Sequence, residues 1–401
     1  MKPLDGIRVL DLSRVLAGPW ATQTLADLGA DVIKVEQPGG GDDTRSWGPP
    51  WHEHKTEKVA AYFLAANRGK RSVAIDFSSG EGAALVAKMA ASADVLVENF
   101  KVGGLAKFGL DAATLRAVNP RLIYASITGF GQDGPYAARA GYDYIIQAMG
   151  GLMSLTGLPD GVPGGGPMRA GVAVADLFTG MYTANAILAA LVRRGVTGEG
   201  ATIDMALLDT QLAMLANQAS NALVSGKNPG RQGAGHPNIV PYQPFEASDQ
   251  PIIIAVGNDR QFRQLCHILD RPHWATDPAF ATNAARVASR EALIPMIAAI
   301  IADKPAATWL QQLERGGIPA GPINTVHQAL ADPQAVHRGA QISAGGGALG
   351  NVAMVGSPIR IDGEQSNSPL PPPALGEHRD LLSEWIDEDQ LARLRGAGIV
   401  G

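Results

Sequence analysis

One carboxylate, Asp176, stands alone in the uncharged stretch between Arg169 and Arg193, within PMRAGVAVADLFTGMYTANAILAALVRR (Pro167 to Arg194). From Leu177 to Val192 the apolar residues recur at helical spacing, interrupted only by Gly180, so the aspartate opens a long helix. Asp is unfavourable inside a helix and favourable at its start, where a side-chain oxygen accepts an orphan backbone N–H. One reading is therefore an N-cap. The other is an ionised carboxylate at the mouth of a site, aimed by the helix dipole and able to attack an electrophile. The two are compatible, and the helix alone does not choose.

Other chemistries find less support in the residues. The eight histidines are scattered, with no H-x-x-x-H and no Cys/His cluster, which argues against zinc. No G-x-S-x-G elbow is present. The lone cysteine, Cys266, lies inside the apolar helical pattern QFRQLCHIL and reads as core. Glu36 ends the second strand where a ribose-binding acid would sit. The preceding turn, however, is RVLAGP, and without G-x-G-x-x-G a close approach to a dinucleotide pyrophosphate is not expected. A P-loop G-x-x-x-x-G-K-[ST] is also missing. The loop PGGGDD is either a phosphate cradle or a flexible turn. Carboxylate chemistry survives this elimination.

The elements that must position Asp176 follow from periodicity. IRVLDL (Ile7–Leu12), ADVIKVE, RSVAIDF, ADVLVENF and LIYASITGF read as buried strands at βα spacing, with GPWATQTLADLG a helix ended by Gly29. That rhythm predicts an α/β fold with a parallel, doubly wound sheet, whose ligands bind past the carboxyl ends of the strands. The loops after Leu12, Glu36, Asp76 and Phe100 are the ones to watch. GKNPGRQGAGHPN then gives way to a new α/β pattern, PIIIAVGN with helices over Asp259–Asp270 and Arg286–Ala302. The expected layout is a large domain over 1–225, a small domain over 226–324, and a return to the large domain over 325–401. ISAGGGALGNVAMVGSPIRI reads as a β-hairpin, and a last helical stretch starts near Asp380.

Composition sets the frame. With 401 residues, 46% hydrophobic and 18% charged, the chain is globular and long enough for two domains. A net charge of −5 without a Lys/Arg block argues against nucleic acid. A single cysteine fits a reducing compartment. The start reads as a strand and not a signal-peptide core, and no apolar run approaches ~18 residues. A cytoplasmic protein with no membrane partner is expected.

Several motifs in one order, PLDGIRVLDLSRVLAGPWATQTLADLGADVIKVEQPGGGDDTR, ADVLVENF, ITGFGQDGPYAARAGYD, GVAVADLFTG and GIPAGPIN, resemble the class III CoA-transferases, the formyl-CoA and carnitine CoA-transferase group. The likeness runs from Lys2 to about His378. GDDTRSWGPPW, NRGKRSVAID and GHPNIVPYQPF look most like the branch that moves CoA between short dicarboxylates such as succinate and glutarate. The resemblance implies that Asp176 is the nucleophile, passing through aspartyl anhydride and aspartyl-CoA intermediates. It implies no tightly bound cofactor, with CoA as co-substrate, and acyl-CoA and carboxylic acid as small-molecule partners. It also implies two interlaced subunits, each with a Rossmann-like domain formed by both chain ends and a smaller inserted domain. CoA contacts carry over to Arg14, Val15, Leu16 and Ala17, to Ile75, Asp76, Phe77 and Ser78 on the adenine side, to Asn99 and Phe100 on the pantetheine side, and to Lys107 and Tyr142. For Arg14 and Lys107 a solvated surface charge is the competing reading. Arg45 or Arg169 could grip a distal carboxylate. Related racemases carry GHD where this chain has GYD. Tyr142, with an ordinary phenol pKa near ~10, is poorly poised to remove an α-proton. A racemase-type isomerase and a non-catalytic CoA-binding protein are the alternatives.

Overall fold

Residues 2–401 are described by a computed structural model. The chain folds into two compact units. The first takes the chain up to Leu152, then Ala170–Val224 and Pro333–Gly401. In chain order its strands are β1 (Arg8–Asp11), β2 (Asp31–Glu36), a hairpin of β3 (Trp51–His54) and β4 (Glu57–Ala60), β5 (Lys70–Ala74), β6 (Val95–Glu98), β7 (Ile123–Thr128) and β8 (Ala201–Ala206). Six of them form one sheet in the order β5-β2-β1-β6-β7-β8, all parallel. The order reverses between β1 and β6, which makes the crevice past their carboxyl ends the topological switch point.

Consecutive strand residues divide between two apolar clusters. Leu10, Ile33, Leu96 and Tyr124 belong to one, and their neighbours Val9, Val32, Val95 and Ile123 to the other. Successive side chains point to opposite faces, so both faces of the sheet are covered, as a parallel sheet requires. The sheet and its five sequence-legible strands are as expected. β8 escaped the sequence reading because ATIDMA holds an outward Thr202 and Asp204 and follows a long helix. The charged WHEHKTEKVA likewise hid the β3–β4 hairpin.

Helices of this unit are α1 (Ala17–Asp27), α2 (Ala61–Leu64), α3 (Gly80–Ala91), α4 (Ala112–Val118), α5 (Asp143–Met149), a short α6 (Leu152–Leu155) at the unit boundary, α7 (Val174–Thr197), α8 (Leu207–Met214) and α9 (Ala216–Ser225). An 18-residue window of the 24-residue α7 has a mean hydropathy of 1.3, so this helix is long and apolar enough to cross a membrane by length and composition. The expectation concerned an uninterrupted apolar run, and α7 reaches this average although it carries an aspartate. Ala175, Ile187 and Ala190 of α7 pack into the apolar cluster on one sheet face. Gly180 also has a reason. A Cβ there would stand 2.6 Å from the Ala17 carbonyl oxygen, so the missing side chain lets α7 press on the first turn of α1.

Near the chain's end, β12 (Gln341–Gly347) and β13 (Gly350–Val355) form the predicted antiparallel hairpin. The last residues lie along the sheet edge: Ile75 bridges Val400 and Gly401 N–H donates to Ala74 O. The second unit comprises Met153–Arg169 and Ser225–Asp332. Its antiparallel sheet has the order β11-β10-β9, with β9 Tyr242–Glu246, β10 Pro251–Ala255 and β11 Ala320–Pro322. Phe262, Leu265, Cys266, Ile297 and Trp309 fill its core. Met153–Arg169 joins this unit, although sequence alone left it with the large domain. Arg231 ties it there, donating to Leu158 O at 3.1 Å and pairing with the Asp160 carboxylate.

Candidate active site

Asp176 is the third residue of α7 and not its cap. The N-cap is Ala173, which has no side-chain oxygen to offer. The capping acceptor comes from another helix. Asp143, at the start of α5, accepts from Ala175 N–H at 2.8 Å and, more loosely, from Asp176 N–H at 3.4 Å. Gln147, one turn on, donates to the other Asp143 oxygen at 2.6 Å and accepts from Ala170 N–H at 2.9 Å. Two glycines bring Asp143 here. A Cβ on Gly129, just past β7, would lie 2.4 Å from Gly141 Cα. Only a glycine pair closes the loop so tightly, and the closure returns Tyr142 and Asp143 to the carboxyl end of β7.

Burial, and then the Asp143 charge, push the Asp176 carboxyl up to about 7. The Tyr62 phenol is raised as well, by burial and by Asp176, Asp143 and Asp42 in turn. Tyr62 is 36% exposed, with its ring edge-on to Trp47, centroids 5.3 Å apart. Sequence reasoning missed Tyr62, Gln147 and the capping role of Asp143. The aspartate and glutamine sit at i and i+4 in GYDYIIQ, a spacing that puts them on one helix face, and that was the available signal.

Four of the watched loops meet at the switch point. Arg14 N–H donates to the Asn99 amide oxygen at 2.9 Å, and the Asn99 amide donates back to Arg14 O at 2.8 Å. This stitches the loop after β1 to the loop after β6. Val15 adopts φ 69°, a costly conformation for a β-branched residue. The Asp42 carboxylate holds it by accepting Val15 N–H at 3.2 Å on both oxygens. Leu16 is the N-cap of α1 and Ala17 its first residue. The Arg14 guanidinium pairs with Asp43 at 3.1 Å and lies over the Phe100 ring. Phe77 stacks edge-on between Phe100 and Phe108, and Lys107 sits over Phe108. Arg14, Phe100, Phe77, Phe108 and Lys107 thus form a continuous strip with a cation at each end. Beside it a cleft of about 410 Å³ is lined by Ser78, the start of α3, Lys107 and Phe108. Asp76 accepts from Ser78 N–H and hydroxyl, which hold its carboxyl below the ordinary range. Ile75 is fully buried against the last strand-like residues, and Tyr142 is 65% exposed. Neither joins the strip.

A buried charge network supports these loops. Asp11 accepts from Lys70 at 2.9 Å, Thr22 at 2.7 Å and Ser13 N–H at 3.0 Å. Lys34 donates to Asp42 at 2.9 Å and to Ser13 O at 2.8 Å. Arg45 clasps Glu36 through two bonds, at 2.8 and 2.6 Å, and lies over the Phe63 ring. Its fork is therefore committed, which corrects the expectation that Arg45 could receive a distal carboxylate. Arg169 is exposed and belongs to the second unit.

Residues 4–379 match the model of CoA-transferase family III. A succinate–glutarate CoA-transferase of Agrobacterium fabrum is 52% identical over 385 residues, 95% of each chain. The succinyl-CoA:glutarate CoA-transferase of Mus musculus is 43% identical over 100% of this chain and 91% of its own. Among solved structures, a CAIB/BAIF family protein from Brucella suis superposes with a TM-score of 0.85 at 51% identity, covering 96% of this chain and 100% of that one.

Proposed function

The chain belongs to CoA-transferase family III, and from that premise we propose that it moves CoA between short dicarboxylates, succinate and glutarate among them, through covalent intermediates on Asp176. The family supplies the reaction: CoA passes from an acyl-CoA thioester to a free carboxylic acid, with CoA as co-substrate. The dicarboxylate preference rests on the names of the relatives and on GDDTRSWGPPW and GHPNIVPYQPF.

The covalent part rests on one observation, a partly buried carboxylate at a helix start that has no ion-pair partner among the described residues and holds its proton to about 7. In the proposed sequence an Asp176 oxygen attacks the thioester carbonyl, the C–S bond breaks, and the electron pair leaves on the CoA sulfur. The thiolate then attacks Cγ of the resulting anhydride, expelling the first acid as its carboxylate and leaving aspartyl-CoA. An incoming carboxylate attacks Cγ, releasing the thiolate, which takes the new acyl group and frees Asp176. One anion enters and one leaves at each step, so no proton need move. A carboxylate is a weak nucleophile toward a thioester. Holding it at attack distance, worth an effective molarity of roughly 10⁵ M or more, makes the step practicable.

In this reading CoA runs along the strip from Arg14 to Lys107, its phosphates meeting the two cations and its pantetheine passing Asn99 and Phe100. Val15 to Ala17 and Asp76 to Ser78 shape the walls, with Ile75 packed behind them, and Tyr142 borders the acyl end. A second copy of the chain is part of the proposal. Support comes from apolar side chains left open on α5 and α7, among them Tyr144 at 59%, Phe178 at 47% and Tyr182 at 47% exposure. A reducing, cytoplasmic setting is supported by the single cysteine, whose burial pushes its thiol up to about 11.

The deciding experiment is Asp176→Asn. Transfer is expected to fall by about a thousandfold or more with acyl-CoA affinity little changed. Hydroxylamine should trap the acylated wild type at Asp176, located by peptide mass. A folded Asn variant with near-normal exchange would overturn the covalent reading. In a screen of acceptors, preference for formate, oxalate or carnitine would overturn the dicarboxylate assignment.

A further inference from the structure

We propose that Asp143 is a positioning residue for CoA transfer: by occupying the N–H groups at the start of α7, it keeps the Asp176 carboxyl off its own helix end and leaves it free to attack. The proposal rests on the covalent reading of Asp176 above.

An acid in the first turn of a helix is ordinarily drawn to the orphan N–H groups and the positive end of the dipole, and becomes a weaker base for it. Here that seat is taken. Asp143 reaches Ala175 N–H at 2.8 Å and Asp176 N–H at 3.4 Å, and fully buried Gln147 fixes its second oxygen at 2.6 Å. Since the N-cap is Ala173, no local side chain competes for the position. Asp176 is left beside a second carboxylate without a cap bond of its own. Like charge and burial together favour its protonated form, in line with its elevated pKa of about 7. A more basic carboxylate is a better nucleophile, and at neutral pH a useful fraction is still ionised. Acylation also removes the Asp176 charge, so forming the anhydride relieves the repulsion from Asp143.

The other titratable groups on the elements packed against α7 are accounted for. On α1, Asp27 is paired with Arg68. Tyr124 of β7 donates to Leu110 O, and Asp204 of β8 accepts from Gln132 N–H. Asp209 of α8 and Tyr144 of α5 are exposed. On α7 itself Tyr182 is exposed, Arg193 donates to Gly200 O, and Arg194 pairs with Asp94 near the far end. Tyr62 of α2 is the remaining neighbour, and its phenol stays neutral through the pH range that matters.

The test is the pH profile of transfer by Asp143→Asn, with Asp176→Asn as a parallel control. Asn still accepts Ala175 N–H through its carbonyl, so the cap remains while the charge is lost. Wild type should show an acidic limb near pH 7. In Asp143→Asn that limb should move down by about one pH unit, and the plateau kcat should fall several-fold with little change in Tm or in KM for acyl-CoA. If Asp143→Asn does not fold, Gln147→Met serves. It takes one donor from Asp143, lets more of that charge act on Asp176, and should move the limb up. An unmoved limb in the folded variant, or a wild-type limb near pH 4, overturns the proposal. Those results leave the covalent reading standing if Asp176→Asn is inactive. Near-normal exchange by Asp176→Asn would instead sink the covalent reading, and this proposal with it.

Discussion

Two groups of carboxylates in the first unit run opposite to their burial. Asp11, Glu36 and Asp42, under the Arg14–Ala17 loop, are 0%, 3% and 1% exposed, yet all three are more acidic than free carboxylates. Asp176 is less deeply buried, and its proton is held to about 7. Burial raises every one of them. In the network it is outweighed by cations: Lys70 and Lys34 hold Asp11 to about 2, Arg45 holds Glu36 down, and Lys34 does the same for Asp42. At α7 the nearest charge is another carboxylate, so the sign reverses. Glu98 is a third case. It is buried, it accepts from Phe100 N–H at 2.7 Å, it meets no cation among the described residues, and burial lifts it to about 6. Partners decide, and depth sets only how much the partner matters. The network makes scaffold out of acids, while the α7 pair leaves a carboxylate without a counter-charge among the described residues.

The comparison breaks most visibly if a network cation can be removed cheaply. Lys34 is 0% exposed and bonded to both Asp42 and Ser13 O. Lys34→Met leaves Asp42 buried without its counter-charge, and a loss of about 3–5 kcal/mol in urea unfolding is expected. Asp42 also holds the strained Val15, so KM for acyl-CoA should rise as the loop relaxes. Adding Asp42→Asn to Lys34→Met should restore part of the stability, because the uncompensated charge goes with it. A single-variant loss below about 1 kcal/mol would mean that the ion pair is not what holds these loops.

A smaller effect follows from acid. Asp11 is held at about 2 against an ordinary 3.8. Its folded-state pKa is depressed, so its contribution is present above pH ~4 and is lost as pH falls toward 2. The difference corresponds to about 2 kcal/mol. In Asp11→Asn the variant is less stable throughout, but its stability should fall less steeply between pH 4 and pH 2 than that of wild type. Parallel slopes would remove Asp11 from the network side of the comparison.

The contrast also marks what the sequence could carry. Strand positions were legible because apolar runs such as VIKVE and VLVEN repeat at βα spacing, and Asp176 stood out because it was the sole carboxylate in an apolar helix. Lys34 and Lys70 were invisible as buried cations. Lys34 sits in DVIKVE between two acids of its own strand and Lys70 opens KRSVA beside Arg71 and Ser72, while the carboxylates they pair with lie eight and 59 positions away. The cap on α7 was hidden for the same reason. Proximity in sequence offered Asp176 itself, whereas the acceptor arrives 33 positions earlier through the Gly129–Gly141 closure. The commitment of Arg45 to Glu36 shows the limit from the other side, since a free cation and a paired one look identical in one dimension.

The finest test of the comparison asks whether Asp176 costs stability where the network acids supply it. Its folded-state pKa, about 7, lies above the ordinary 3.8. The native state therefore binds this proton more tightly than the unfolded chain, and stability declines as pH rises from ~4 through ~7. Above that window the penalty is complete. For a partly exposed group it amounts to roughly 1 kcal/mol after solvent screening, or about 1–2 °C in Tm for a chain of this length. Asp176→Asn carries no such penalty, so the inactive variant should melt higher than wild type at pH 8 and the advantage should vanish by pH 4. A cap lost from α7 would give the opposite sign, with a lower Tm at every pH. Differential scanning calorimetry at the two pH values separates the cases. A lower Tm at pH 8 would move Asp176 into the scaffold group, whereas a higher one would show a reactive residue retained against its cost to stability.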